Sequence, residues 1–282
     1  MRRVLITGAS GFIGKAIVSA ATDVEVLLGS REPSDAPNTV LLDLNQPGQV
    51  RNTLMQTRPD SLIHLAWQGI PDFSEHTNQL NLRQGRHLVE AALQAGCKHL
   101  VMTGSCMEYR GLQGSVSEEQ SASEPDALAD VKLKLLAQTL QLWPHRLVWL
   151  RPFYVYGEGQ RAAALIPSVI SSLKNGEVPV LAGTCQAHDF IDVHVVAEAV
   201  WRLLKHETAH GIFNIGTGQL RLVDQIKSWA TSLWYGEPLT TVPQSPAGFF
   251  ASTKRLEDAT DWLPPDVMLQ TLRQLITDAK NA

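Results

Sequence analysis

Short apolar runs alternate with longer amphipathic stretches through the first half of the chain. Apolar runs of a few residues predict buried strands, whereas apolar positions at three- and four-residue spacing predict helices. The predicted strands are Val4–Thr7, Val24–Leu28, Thr39–Leu42, Leu62–Trp67, His99–Thr103 and Leu147–Leu150. The predicted helices are Lys15–Ala21, about Asn78–Ala95 and Leu128–Leu142. Such alternation predicts an α/β fold, with a parallel sheet covered by helices on both faces and a ligand crevice at the carboxyl ends of the strands.

Three glycines follow the first predicted strand at regular spacing. Gly8, Gly11 and Gly14 are separated by three residues each, and a helical pattern begins directly after them. Gly8 permits a tight turn, Gly11 lets the backbone approach a pyrophosphate, and Gly14 allows close packing of helix on strand. Phosphates would bind the free N–H groups at the helix N-terminus. The segment therefore predicts a dinucleotide-binding turn.

Charge and composition exclude several classes of function. The chain has 282 residues and a formal net charge of −4, which argues against nucleic acid or an anionic membrane as a partner. We expect no membrane anchor and no signal peptide, because no apolar run is long enough and a strand begins almost at once. A cytoplasmic location is predicted. The three cysteines, Cys97, Cys106 and Cys185, are scattered, which predicts reduced thiols and no disulfide or metal site.

Motifs spread over most of the chain resemble those of the extended short-chain dehydrogenase/reductase family, the epimerases, dehydratases and reductases of nucleotide sugars. The matching segments are Thr7–Gly14, His64–Ala66, Gly104–Tyr109, Arg151–Gly157, His188–Val193, Phe213–Gly218 and Trp262–Pro264. The resemblance implies a Rossmann-type doubly wound parallel sheet that binds NAD(P), a smaller C-terminal lobe that binds a nucleotide sugar, and a homodimer formed through two helices per subunit. On this basis the Rossmann domain comprises residues 1–157 and 186–217, and the smaller lobe comprises 158–185 and 218–282.

The end of the second predicted strand bears on the choice of cofactor. Its residues are Gly29, Ser30 and Arg31, with no carboxylate before Glu32. A guanidinium suits a 2′-phosphate, so NADP is favoured; the alternative is NAD, with Arg31 solvated and Glu32 holding the ribose. Asp43 resembles the family's adenine-edge contact, with an ordinary loop carboxylate as the alternative. The resemblance implies further cofactor contacts at Ser10, Phe12, Ile13, Leu44, Leu65, Ala66, Lys132, Pro152 and Phe153.

The catalytic positions depart from the family pattern. The family uses a serine or threonine to position a substrate oxygen, a tyrosine to exchange a proton, and a lysine four residues after the tyrosine. Ser105 and Lys132 match the first and last, but the tyrosine position is Leu128. A positioned acid typically contributes about 10²–10⁴ in rate, so another group must act or the reaction is slow. The candidate substitutes are Ser105 with a water relay, Cys106 and Tyr109. The alternative for Cys106 is a small buried thiol, the resemblance implies a mostly structural role for Tyr109, and the alternative for Lys132 is ribose binding without catalysis.

Two further positions narrow the expected reaction. The 4,6-dehydratases of the family carry an Asp–Glu pair after the serine or threonine, and here these residues are Cys106 and Met107. Dehydration is therefore not expected, and the neighbouring Glu108 is predicted to make a structural hydrogen bond. The remaining hypotheses are an enzyme that reduces or epimerises C4 of a nucleotide sugar and a catalytically weak NADP-binding protein with a regulatory or structural role.

On the substrate side, Trp67 and Gln68 follow the fourth predicted strand and are expected to border the sugar. Gln160 and Arg161 are candidate phosphate contacts, because a pyrophosphate needs a cationic partner. The family's Arg-Asp-Phe motif is here His188-Asp-Phe, and histidine is a weaker, pH-dependent phosphate ligand. Further predictions make Tyr109 a substrate contact and Asn81 part of the scaffold.

Overall fold

The computed structural model describes residues 2–69, 74–122, 125–180, 186–241 and 247–282. Cys185 therefore lies outside the described residues. No helix in these ranges is both long and apolar enough to cross a membrane.

The described chain alternates between strands and helices. The strands are β1 (Arg2–Thr7), β2 (Val24–Ser30), β3 (Thr39–Leu41), β4 (Ser61–His64), β5 (His99–Thr103), β6 (Gly114–Val116), β7 (Leu147–Pro152), β8 (Tyr154–Tyr156), β9 (Ala187–Asp192), β10 (Gly211–Ile215), β11 (Leu220–Leu222) and β12 (Phe249–Ala251). The helices are α1 (Phe12–Ser19), α2 (Pro47–Thr57), α3 (Glu75–Gln94), α4 (Ala127–Leu142), α5 (Leu165–Lys174), α6 (Val193–Lys205), α7 (Val223–Tyr235), α8 (Lys254–Thr260) and α9 (Met268–Asn281). A 3₁₀ turn, Cys106–Tyr109, follows β5.

The main sheet has seven strands in the order β10-β7-β5-β4-β1-β2-β3. All of its strand pairs are parallel. The strand order reverses direction beside β1, which is where an open α/β sheet binds its ligands. The predicted Rossmann-type α/β fold is confirmed. The fourth strand ends at His64, three residues before the predicted end, because the chain leaves the sheet there and Leu65 donates to the carbonyl oxygen of Thr7 at 3.1 Å.

Helices cover both faces of this sheet because successive residues of each strand point to opposite sides. Val4 and Ile6 of β1 pack in the core under α1 and α6, while Leu5 packs under α2, α3 and α4. The indole Nε1 of Trp201 in α6 donates to the carbonyl oxygen of Ile17 in α1 at 2.8 Å, which fixes these two helices to each other.

A second, three-stranded sheet has the order β11-β9-β8. Its apolar face packs against α5, α7 and α9, around Tyr156, Phe190 and Leu272. The middle strand of this sheet, β9, pairs with β8 and β11. It ends at Asp192, the N-cap of α6, so one continuous segment connects the small sheet to a helix that covers the main sheet.

A buried ion pair connects the main sheet to the segments around it. Glu108 Oε2 accepts from Arg151 Nε at 2.6 Å, and the two side chains are 0% and 3% exposed. Arg151 Nη1 also donates to the hydroxyl of Tyr109 at 2.6 Å, and that hydroxyl donates to Asn214 Oδ1 at 2.6 Å. Residues of the 3₁₀ turn, β7 and β10 therefore meet in one network. Glu108 has the structural role that the sequence predicted.

We expect Arg151→Met to lower the free energy of unfolding by about 3–5 kcal/mol, because it leaves the buried Glu108 carboxylate without its charged partner. Urea unfolding followed by circular dichroism measures this. The matched control is Arg86→Met, which removes an exposed ion pair with Glu90 within α3 and should cost less than about 1 kcal/mol. A similar loss for the two variants would contradict the assigned role of the buried pair.

Candidate functional site

The turn after β1 has the conformation that its glycines predict. Gly8 adopts a φ of +73°, and a Cβ atom there would lie 2.7 Å from the backbone nitrogen of Ala66. A Cβ on Gly14 would collide with the carbonyl oxygen of Gly8. Helix α1 begins at Phe12, and no side chain caps its N-terminus. Its first N–H groups and the positive end of its dipole are the features that bind phosphate.

A cleft of about 1010 Å³ extends from this turn along the carboxyl ends of the strands. Nine of the predicted site residues line it: Gly8, Ser10, Gly11, Arg31, Leu44, Leu65, Ala66, Trp67 and Gln68. Its volume and its position at the reversal of strand order fit a dinucleotide.

Two cationic side chains reach one side of the cleft. Arg31 follows β2 and Lys15 lies in the first turn of α1; both are exposed and both line the cleft. The sequence analysis missed Lys15, although its position four residues after Gly11 places it on the same helical face. Glu32 also lines the cleft. Ser30 is occupied locally, because its hydroxyl donates to the carbonyl oxygen of Glu32 at 2.8 Å.

Three predicted cofactor contacts, Asp43, Phe12 and Ile13, have side chains that make other contacts in the structure. Asp43 does not line the cleft; its carboxylate accepts from the backbone N–H of Asn45 at 3.0 Å and from Gln46 Nε2 at 3.2 Å. The hydrogen bond from the Asn45 backbone is the main reason that the pKa of Asp43 is lowered. Phe12 and Ile13 pack against the core beneath the sheet, so only their backbone N–H groups are placed for phosphate.

Helix α3 holds the loop that borders the other end of the cleft. Asn81 Oδ1 accepts from the backbone N–H of Gln68 at 2.8 Å, and Asn81 Nδ2 donates to the carbonyl oxygen of Gln68 at 3.0 Å. The side chain of Gln68 donates to Gln84 Oε1 at 3.2 Å. Asn81 is therefore scaffold, as predicted. Gln84 also lines the cleft and was missed, because a helical glutamine carries no distinguishing sequence signal.

Lys132 is buried beside this loop. It is 5% exposed, its Nζ donates to the carbonyl oxygen of Thr103 at 2.6 Å, and Nζ lies 3.8 Å from the centre of the Trp67 ring. Burial lowers the pKa of Lys132 to about 7, so the amine exists in both protonation states near neutral pH. His64 is buried as well, and desolvation, with the Lys132 charge nearby, lowers its pKa to about 3. The imidazole is therefore neutral.

Ser105 begins the 3₁₀ turn that follows β5. Its Oγ accepts from the backbone N–H of Met107 at 3.1 Å, and its own N–H donates to Glu108 Oε1 at 2.9 Å. The side chain that interacts with the Ser105 hydroxyl as an acceptor is the neighbouring thiol of Cys106. The capping arrangement fixes the backbone of Ser105 and leaves its O–H able to donate to a substrate oxygen.

Two candidates for the missing acid do not suit that role. Cys106 is 5% exposed and packs against Val116 and Phe153, and burial raises its pKa to about 12. A thiol this weakly acidic stays protonated near neutral pH, so a small buried thiol without a catalytic role is the better interpretation of Cys106. Tyr109 is fully buried, and its hydroxyl is bonded to Arg151 and Asn214. The predictions of Tyr109 as a proton donor and as a substrate contact are corrected.

Pro152 ends β7, Phe153 follows it, and both lie outside the lining of the cleft. Phe153 is 3% exposed and stacks on Tyr109 at 6.1 Å between ring centres. Its side chain therefore packs in the core, and a cofactor could reach only the backbone at this position.

The predicted phosphate contacts have different surroundings. Arg161 is exposed. Gln160 Nε2 donates to the carbonyl oxygen of Val155 at 3.0 Å, which turns its amide inward. His188 is half-buried and stacks on Tyr154 at 3.8 Å between ring centres. Burial lowers the pKa of His188, so at neutral pH it carries no positive charge for a phosphate.

Among the described residues, no three or more His, Cys, Asp or Glu side chains come together in an arrangement that could hold a metal ion.

Comparison with known proteins places this geometry in a family. The model of the NAD dependent epimerase/dehydratase family matches residues 4–216. A GDP-6-deoxy-D-mannose reductase of Pseudomonas aeruginosa is 27% identical over 98% of this chain and 97% of its own length. A dTDP-4-dehydro-6-deoxyglucose reductase of Escherichia coli is 22% identical over 97% of this chain and 96% of its own length. The solved structure of RMD from Pseudomonas aeruginosa complexed with NADPH matches with a TM-score of 0.78 and 27% identity, covering 100% of this chain and 99% of that one.

The family match covers well over half of the chain and includes the glycine turn, Ser105 and Lys132. It agrees with the parallel sheet, the strand order and the cleft at the carboxyl ends of the strands. The chain therefore belongs to the NAD-dependent epimerase/dehydratase family, as its sequence motifs indicated.

Proposed function

We propose that this chain is an NADP-dependent enzyme that reduces the 4-keto group of a nucleotide-activated sugar. The reductases among its relatives support this reaction. The observation that carries the proposal is the position of Lys132. Its amine donates to the carbonyl oxygen of Thr103, which ends β5 and lies two residues before Ser105. The amine also contacts the ring of Trp67, a residue that lines the cleft. Epimerisation at C4 would use the same groups in both directions. The smaller lobe, built around β8, β9 and β11, would bind the sugar nucleotide.

The residues of the cleft support NADP as the cofactor. Gly8 and Gly14 allow the turn to pack closely on β4 and α1, since a Cβ at either position would collide with backbone. This packing brings the free N–H groups of α1 to the cleft, where a pyrophosphate would bind. Lys15 and Arg31 add two positive charges on the side where the adenosine ribose would lie. A dianionic 2′-phosphate pairs with such cations, whereas a free hydroxyl would leave them unused.

In this proposal, Ser105 and Lys132 supply the hydrogen bond and the proton that the reduction requires. NADPH bound in the cleft would supply a hydride to the carbonyl carbon. Ser105 donates its hydroxyl hydrogen to the carbonyl oxygen and so fixes its position. Lys132, in its ammonium form, gives the proton that converts this oxygen to the alcohol, and the amine becomes neutral. A pKa of about 7 suits this transfer, because both forms are populated near neutral pH.

Leu128 supports a second candidate function. It is a half-buried residue in the first turn of α4 and has no group that exchanges protons. A chain that retained the cofactor cleft and lost the proton donor would be a weak catalyst with a regulatory or structural role. The two candidates differ in whether Lys132 replaces the tyrosine.

A homodimer is also part of the proposal. The helices α3 and α4 pack side by side, and Leu93 and Leu142 near their ends are 45% and 41% exposed. A second copy of this helix pair would cover these apolar side chains.

We expect Arg31→Gln to weaken NADPH binding about ten-fold or more while NADH binding changes little, because only NADPH carries the 2′-phosphate that the guanidinium pairs with. Fluorescence titration of the reduced cofactors measures both affinities. The matched control is Glu32→Gln, which should leave NADH binding unchanged. Tight NADH binding by the wild type that is lost in Glu32→Gln would show that NAD is the cofactor.

We expect Lys132→Met to lower the turnover of NADPH with a 4-keto nucleotide sugar by about 10²–10⁴. In the wild type, turnover should fall as the pH rises through about 7, because the ammonium form that donates the proton is lost there. Stopped-flow absorbance of the reduced nicotinamide measures both effects. The control is Lys134→Met on the exposed side of the same helix, where the lysine pairs with Asp130. A wild-type rate that is independent of pH between 6 and 9 would contradict the role of Lys132.

We expect Leu128→Tyr to raise turnover by less than about ten-fold, because Lys132 already supplies the proton. The measurement is NADPH oxidation with UDP-, GDP- and dTDP-linked 4-keto sugars, with Leu128→Phe as the control for ring size. A gain of about 10²–10⁴ for the tyrosine alone, over a barely active wild type, would favour the second candidate.

A further inference from the structure

The strand pairing in the small sheet places an arginine directly opposite His188. Strand β11 is antiparallel to β9, and Arg221 is the Cα partner of His188. Directly paired residues on antiparallel strands have side chains on the same face of the sheet. Tyr154 of β8 stacks on His188, with an angle of 21° between the rings. The three side chains therefore form a row across the three strands.

Arg221 is only partly engaged by the protein. Its Nη2 bonds to the carboxylate of Asp266 and lies 3.3 Å from Gln219 Oε1. Its guanidinium carbon lies 5.1 Å from the centre of the Trp229 ring. Across the described ranges, Nε and Nη1 of Arg221 donate to no protein group. The side chain is 23% exposed, so two N–H donors of a held guanidinium remain for a ligand.

Of the three side chains in this row, Tyr154, His188 and Arg221, only Arg221 carries a positive charge at neutral pH. Burial leaves His188 uncharged at neutral pH. Asp189 points to the opposite face, where its carboxylate accepts from the backbone N–H groups of Thr217 at 2.8 Å and Gly218 at 2.9 Å. Its carboxylate is thus held by hydrogen bonds on that face, although its charge also acts on Arg221 through the sheet.

We propose that Arg221 binds the diphosphate of a nucleoside diphosphate sugar, the ligand class of the proposed function on which this inference rests. A planar guanidinium with two free donors matches two phosphate oxygens. Asp266 holds the guanidinium in the ligand-free chain, and the diphosphate competes with this carboxylate. The stacked rings of Tyr154 and His188 form a flat wall beside the phosphates. Arg221 on the adjacent strand thus supplies the positive charge that His188 lacks at neutral pH.

The test is isothermal titration of the full-length chain with UDP, GDP, dTDP and ADP, in the presence of saturating NADPH. For whichever of these binds, we expect Arg221→Gln to weaken binding about 10- to 100-fold and Arg221→Lys to weaken it less. We expect Asp266→Asn to strengthen binding, because it removes the competing carboxylate. Arg273→Gln, an exposed arginine of α9, is the matched control for loss of one charge. Unchanged NADPH affinity and melting temperature in Arg221→Gln show that the variant is folded.

The outcomes separate this assignment from the proposed function. Equal affinity of Arg221→Gln and wild type overturns the role of Arg221 and leaves the nucleotide-sugar substrate in place. The same conclusion follows if Arg161→Gln loses binding and Arg221→Gln does not. If the wild type binds NADPH but none of the four nucleoside diphosphates, both the assignment and the proposed substrate class fail.

Discussion

The buried pair of Glu108 and Arg151 is the interaction on which the surrounding structure depends. A carboxylate and a guanidinium removed from water are costly unless they are also hydrogen-bonded, and here Ser105, Trp149, Tyr109 and a backbone carbonyl supply further hydrogen bonds to the pair. The same bonds fix the start of the 3₁₀ turn, and so the position of Ser105. One network of hydrogen bonds therefore both stabilises the fold and fixes the geometry of the candidate site. The conformation of the 3₁₀ turn is restricted as a result.

The absence of a tyrosine at Leu128 changes how the remaining site is to be understood. Burial lowers the pKa of Lys132 to about 7, and the proposed function assigns to this amine the proton step that the tyrosine performs in the family. Burial has the opposite effect on the thiol of Cys106, whose pKa it raises to about 12. The same physical cause, loss of water, thus moves the pKa of the amine toward neutrality and that of the thiol away from it.

The fold and the cofactor cleft could be predicted from the sequence because their signals are local. Glycine spacing and short apolar runs follow from neighbouring residues, and they placed the strands of the first half within three residues of their observed ends. The order of the strands in the sheet and the elements after residue 150 depend on distant contacts and were not predicted. The candidate site was predicted less well where contacts join distant segments. The resemblance implied a mostly structural role for Tyr109, but its partner Asn214 is distant in the sequence and gave no local signal. The sequence did not indicate a role for Arg221, because that role depends on strand pairing with His188. Asp43 resembled a ligand contact, but its carboxylate accepts a hydrogen bond from the backbone of Asn45 in the adjacent turn.

The Trp67 ring lies over the Lys132 amine, with Nζ 3.8 Å from the ring centre, and the lysine is only 5% exposed. In the proposed reduction, a proton that leaves this amine would therefore be replaced along a path beside the ring, as an event separate from hydride transfer. Each catalytic cycle would then begin with a proton already stored in the protein.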